Sequence, residues 1–306
     1  MSAADLPMLE VEVAAAPAPA SLLGRRPARR RVWTDRLATA GLVAAVIMVL
    51  VPLGLILFTI LRRGLATISW EFLTQPMPYS LRKEGGGLLN SAIGTFMMVG
   101  LATAFSVPLG ILAAVYLAEY GKKNTLANVI RFFTDVMTGV PSVFVGLFIY
   151  TALVVQWGFG ALVGAFALSI IMLPIIVRSS EEMLRLVPSE LKDASYALGA
   201  AKWQTVSKVV LPSALPGLTT GVLLAVARAA GETAPLILTA LGSFKIVTTL
   251  VGEPISALPL AILSGARNPF AAGQARAWAG ALELLVIVLV FTILARVIAS
   301  RSRTSS

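Results

Sequence analysis

Long stretches without a single charge set the first boundary on what this chain can fold into. Leu37 to Leu61, Leu88 to Ala118 and Val136 to Val177 contain no Asp, Glu, Lys or Arg, the last over 42 residues. About 20 apolar residues in a helix cross the hydrocarbon core of a bilayer, so the first two stretches each suffice for one span and the third for two. We place the break of the third at Gln156-Trp157-Gly158, where an interfacial aromatic residue adjoins a helix-weakening glycine. This predicts a tight helical hairpin. A fifth span is expected over Ser213 to Leu241, interrupted by Arg228 and Glu232, and a sixth over Ala277 to Ser300, with Glu283 in its outer third. Pro254 to Ala266 is apolar but short and holds two prolines, which suits an interfacial or re-entrant segment. The expected fold is therefore all-α, a membrane protein of six transmembrane helices.

Composition narrows the chemistry. Charged residues make up 13% of the chain, about half the share of an ordinary soluble domain. Cys and His are absent, which excludes disulfides, Cys nucleophiles, Ser-His-Asp hydrolysis and thiolate or imidazole metal sites. No cofactor is expected. The net charge of +10 is explained by its distribution. With six spans and both termini on one side, that side holds seventeen of the 25 basic residues: six from Arg25 to Arg36, three after the second span, five from Arg178 to Lys208 and three at the C-terminus. The other side holds seven: Arg62, Arg63, Arg82, Lys83, Lys245, Arg267 and Arg276. Excess Lys and Arg mark the cytoplasmic side, so both termini are expected in the cytoplasm, without any nucleic-acid partner. Met1 to Ala20, rich in Ala, Pro and acid, reads as disordered, and residues 1–36 as a whole are expected to form a disordered basic cytoplasmic tail. The Leu37 to Leu61 helix is expected to be retained, because a cleaved signal has its basic run earlier and a shorter apolar core.

One cytoplasmic segment, residues 178–212, has internal order. Pro188-Ser189-Glu190 reads as a helix start, with Leu191, Ala194 and Leu198 at helical spacing and Gly199 as terminator. A second short helix is expected from Ala201 to Val210, ending at Leu211-Pro212. Helices this short are marginal in water and need a surface to pack on. Asp193-Ala194-Ser195, Gly199, Val209 and Leu211-Pro212 match the gaps of the loop Glu-Ala-Ala-x3-Gly-x9-Ile-x-Leu-Pro that ABC importer permeases carry, and the segment resembles it with Asp193 and Ser195 as conservative departures. In that family the loop is a coupling helix that docks on a cytoplasmic ATPase. Gly199 adopts positive φ without penalty. The chain has no Gly-x4-Gly-Lys-Ser/Thr loop, so any ATP must be bound by another subunit.

The fifth span places Arg228 and Glu232 four residues apart, hence on one helical face. Intramembrane charges cost about 2.5–3.5 kcal/mol each on insertion scales and usually face a bundle interior or an aqueous path; a mutually satisfied pair that braces the helix is the alternative. Pro235 cannot donate to the carbonyl of Gly231, so a helix kink is expected there. Gly217, Gly221, Ala225 and Ala229 recur every four residues, which fits close helix packing. Asp135 reads as a charge at the start of the third span.

The run Ala227 to Leu236, together with Gly139 to Phe148, Gly85-Gly86-Gly87 and Asn90 to Thr95, resembles phosphate ABC transporter permeases of the Pst system, nearer the PstA type than the PstC type. The resemblance covers Gly85 to Leu241. It implies the type I ABC importer permease fold, a permease domain over residues 88–300, a short tail at 301–306 and a place in a bacterial plasma membrane. It also implies inorganic phosphate as cargo, and as partners a homologous PstC-type permease, two copies of a PstB-type ATP-binding subunit and an extracytoplasmic PstS-type phosphate-binding protein. The residues permit such a role: a guanidinium suits a phosphate oxyanion, and Glu232 can accept the proton that phosphate keeps near neutral pH and sulfate lacks. Importers of another oxyanion or a small polar solute share the loop, and an autonomous carrier or channel would use Arg228 and Glu232 without nucleotide. An intramembrane enzyme lacks its usual groups.

Overall fold

The computed structural model describes residues 29–121 and 124–303; of the tail expected to be disordered over 1–36, residues 1–28 lie outside the described residues, and Arg29 to Arg36 are helical, as the first turns of the long helix that continues into the apolar stretch. The chain divides into two units, Met1–Ile56 and Leu57–Ser306. In the first, the described residues are the larger part of helix α1 (Arg29–Leu65). Its apolar stretch has a mean hydropathy of 2.8 and is 0% buried, as befits side chains whose surroundings are lipid rather than protein.

The second unit continues from the last turns of α1 through α2 (Trp70–Thr74), α3 (Leu89–Val115), α4 (Thr125–Gly139), α5 (Ser142–Ile149), α6 (Ala161–Arg185), α7 (Ser189–Ala197), α8 (Lys202–Thr205), α9 (Leu211–Gly231), α10 (Ala234–Thr239), α11 (Leu258–Ala266) and α12 (Ala271–Arg303). Among the described residues, five helices can cross a membrane by length and composition, and one bent pair brings the total to the expected six. Several serine and threonine hydroxyls are satisfied within the spans by carbonyls four residues back, as at Thr95, Ser106, Ser169 and Ser179, which suits an apolar solvent. Arg276, counted above among the loop cations, lies inside α12. Its side chain is buried and donates to the carbonyls of Leu81, Lys83 and Gly85, so it fastens the loop ahead of α3.

The structure corrects several boundaries. The third span does not run straight from Val136. α4 precedes it, and a 106° bend at Val140-Pro141 separates α4 from Ser142–Trp157. Pro141 has no N–H and forces Val140 out of the α region, to ψ 126°, whereas hydropathy cannot register a bend that introduces no charge. Asp135 consequently sits near the end of α4, where it faces the Arg178 guanidinium at 3.6 Å. α6 continues to Arg185, so the first two turns of the expected loop are helical. The helix after Ala201 does not end at Leu211-Pro212. A π turn over Val206–Val210 leads directly into α9, where Pro212 has a first-turn position that needs no N–H.

The fifth span lies earlier in the chain than expected, ending at Gly231 rather than Leu241. Beyond it the chain folds back as α10, an irregular segment and α11, with Ile255, Ala257 and Leu258 at most 1% exposed. Non-helical backbone at membrane depth is tolerated where it is buried in protein. Here α3 supplies the partners: Asn90 donates to Ser243 O, Ser91 bonds Ser256, and Thr95 accepts from Leu258 N.

Candidate functional site

α9 lies against α6 in an antiparallel register set by small residues. A methyl added at Gly217 would come within 2.5 Å of Met183 Sδ, and one at Gly221 within 2.2 Å of Ser179 Oγ; Ala225 and Ala229 are buried. The four-residue stripe therefore brings two helices together. Arg228 stands beside that stripe, with its side chain 58% exposed. It lines a cavity of about 390 Å³ whose other walls include Thr138, Ser142, Phe144, Ile171 and Pro174. Ile171 and Pro174 lie near the middle of the 25-residue α6, which puts the cation at mid-depth of the bundle. Most of the wall is apolar, so hydroxyls from the α4–α5 elbow and one guanidinium are its polar features.

Glu232 is placed next to Arg228 but not on the cavity wall. It follows the last helical residue, Gly231, with extended ψ of 126°, and its side chain is 16% exposed. Arg228 Nε lies 3.4 Å from Glu232 Oε1, at the long end of hydrogen bonding, and neither Nη has a partner among the described residues. The geometry orients the guanidinium by its Nε edge and leaves its planar fork free. The expected kink is instead a full break: Pro235 opens the new helix α10 and is buried against Gly146, where an added methyl would lie 2.7 Å from Pro235 Cα.

At one end of the bundle, α7 has no buried residue. Leu191, Ala194 and Asp193 are exposed, and Leu198 is 89% exposed. Gly199 closes the helix with φ +82°, the left-handed conformation that favours glycine. Ser195 bonds Thr205 across the turn at 2.9 Å. Leu211 is half-buried and Pro212 exposed where α9 begins. Residues missed by sequence reasoning hold this end together. Glu181, with a side chain 3% exposed, accepts from Arg131 and Arg185, and Lys192 reaches Glu119 at 2.6 Å. The i,i+4 spacing of Glu181 and Arg185 was a visible signal; Lys192 and Glu119, 73 positions apart, offered none.

The family described as "Binding-protein-dependent transport system inner membrane component" matches residues 106–304. The chain belongs to this family. It is 40% identical over 279 residues to the phosphate transport system permease protein PstA of Yersinia pestis, covering 90% of this chain and 94% of that one. It is 42% identical to PstA of Haemophilus influenzae, covering 79% and 85%, and 38% identical to PstA 1 of Mycobacterium tuberculosis, covering 90% and 92%. Among solved structures, a bacterial alginate ABC transporter aligns with a TM-score of 0.63 at 15% identity over 89% of this chain and 96% of that one. The MetNI methionine ABC transporter in an inward-facing conformation aligns at 0.53 and 20% identity over 71% and 94%. These two share the fold of this inner membrane component.

Proposed function

We propose that the chain is the permease subunit through which an ATP-driven importer passes inorganic phosphate, with ATP bound and hydrolysed by a separate subunit. The observation that carries the substrate assignment is Arg228, a half-exposed cation with a free guanidinium fork in an otherwise apolar mid-bundle cavity. That fork can bond two phosphate oxygens side by side, and the Thr138 and Ser142 hydroxyls offer further bonds. Glu232 steadies the guanidinium through Nε and keeps it from holding the anion too tightly. The PstA-type relatives support phosphate over other oxyanions. By the Lys and Arg distribution, α7 and both termini face the cytoplasm, where the exposed Leu191, Ala194 and Leu198 face would dock on one of the two ATP-binding subunits of the complex. A homologous permease stands beside the chain, and a phosphate-binding protein delivers cargo on the other side.

The test is uptake of labelled phosphate and labelled sulfate by the complete complex in proteoliposomes, with and without ATP. Accumulation of phosphate alone, and only with ATP, is expected. Equal movement of sulfate would favour the general oxyanion importer, and passage through the isolated chain without nucleotide would favour a carrier.

Gly199 supplies a second check. A Cβ there meets no atom within 4 Å, so within the chain the cost of Gly199→Val is chiefly that of the left-handed backbone, about 1–2 kcal/mol. The variant chain is expected to insert normally while phosphate carried per ATP hydrolysed falls, whereas Gly199→Asn, which tolerates positive φ, stays near wild type.

A further inference from the structure

We infer that the π turn Tyr116–Tyr120, which ends α3, is the joint that carries movement of α7 to the Arg228 cavity, with Lys192–Glu119 and Arg131–Glu181 as its positioning pairs; this rests on the reading of α7 as the lever on which an ATPase acts. Three cations from three different elements grip this one turn. Lys192 of α7 places Nζ 2.6 Å from Glu119 Oε1, with side chains only 16% and 5% exposed. Lys202 of α8 sets its ammonium 4.4 Å from the Tyr120 ring centre. Arg131 of α4 donates Nη2 to the Leu117 carbonyl at 2.8 Å and Nε to the buried Glu181 at 2.8 Å.

The turn itself is suited to yield. Its backbone closes five residues apart, Gly121 N to Tyr116 O at 2.7 Å, and π turns of this kind hold one residue more than an α-helix needs and recur at functional sites. A second π turn, Val206–Val210, stands on the other side of the lever, between α8 and α9. Each arm then runs to the cavity as a regular helix. From Arg131, α4 leads about 10 Å to Thr138 and the elbow; from Leu211, α9 leads about 26 Å to Arg228. The two arms both end on the lining of one cavity, so a displacement of α7 that shifts one π turn relative to the other changes the separation of the elbow hydroxyls and the guanidinium. Stability alone does not require these charges, since a buried ion pair is commonly replaceable by apolar residues at little loss. A pathway claim needs a demonstrated coupling, and charge exchange provides it.

The complete complex in proteoliposomes is assayed for ATP hydrolysed and labelled phosphate accumulated in the same sample. Wild type comes first: absence of ATP-driven phosphate uptake there would overturn the functional reading itself, before any variant is read. For Lys192→Met and, as a gentler variant that keeps shape, Glu119→Gln, hydrolysis is expected to stay within about threefold of wild type while phosphate per ATP falls about tenfold. The exchanged pair, Lys192→Glu with Glu119→Lys, is expected to recover that ratio to within about threefold, the non-additivity that marks direct coupling. A wild-type ratio in both single variants, or an exchanged pair no better than Lys192→Met, would overturn the inference.

Discussion

Replacing Arg228 by glutamine is expected to lower phosphate uptake by about 100-fold or more in a complex that still assembles and still hydrolyses ATP. The magnitude follows from two charged hydrogen bonds at about 1.5–3 kcal/mol each, the lower end of which already corresponds to about two decades. Assembly should survive because Arg228 stands off the small-residue stripe that joins α9 to α6, and among the described residues its one side-chain partner is Glu232, at 3.4 Å from Nε. Arg228→Lys separates charge from shape. A lysine keeps the cation but loses the planar fork, so intermediate uptake is expected, with a greater loss in affinity than in maximal rate. Undiminished uptake in Arg228→Gln would remove this residue from the path.

Gly94→Ala should have a large effect on the integrity of the chain. A methyl at this position would lie 1.9 Å from the Ser256 carbonyl oxygen, a separation that no rotamer adjustment can relieve because both groups are rigid. Nor can the strands of backbone part freely, since Ser91 and Thr95, one on either side of Gly94, bond Ser256 Oγ and Leu258 N at 2.8 Å each. Overpacking costs about 1–3 kcal/mol, and each buried bond pulled apart adds about 1–3 kcal/mol. The variant is expected to lose most of its yield as monodisperse complex in detergent. Gly100→Ala is the matched control on the same helix: its Cβ would meet no atom within 4 Å, and the substitution should be neutral or slightly stabilising.

The spans were legible because hydropathy reads length and charge, the two quantities a bilayer selects for. The turn at Gly158, with φ +78°, was legible for the same reason, as a polar interruption of an apolar run. The bend at Val140-Pro141 was not, because it adds no charge; at Gly231 the flanking Arg228, Glu232 and Pro235 announced a kink but not a full break, since a short helix folded back within the bundle has the same apolar composition as a continuing span. Arg228 announced itself as a lone cation in an apolar setting. Thr138 and Ser142 did not: each is unremarkable in isolation and gains meaning only when the elbow brings α4 and α5 to the same wall. Asp135 was misread because the helix it belongs to was placed too late in the chain.

The folded-back segment between α9 and α12 is held by contacts that are largely main chain on one or both sides, such as Asn90 to Ser243 O, Gly160 N to Thr239 O and Leu162 N to Leu250 O. The Arg228 cavity, by contrast, is faced by side chains. Anyone wishing to re-target this permease to a different anion therefore has an asymmetric substrate for engineering. Where the Arg228 cavity holds the anion as proposed, libraries at Thr138, Ser142 and Ile171 would reshape it one residue at a time, whereas the segment beyond Gly231 offers few individual letters to change, and variation there has to arrive as whole-loop exchange.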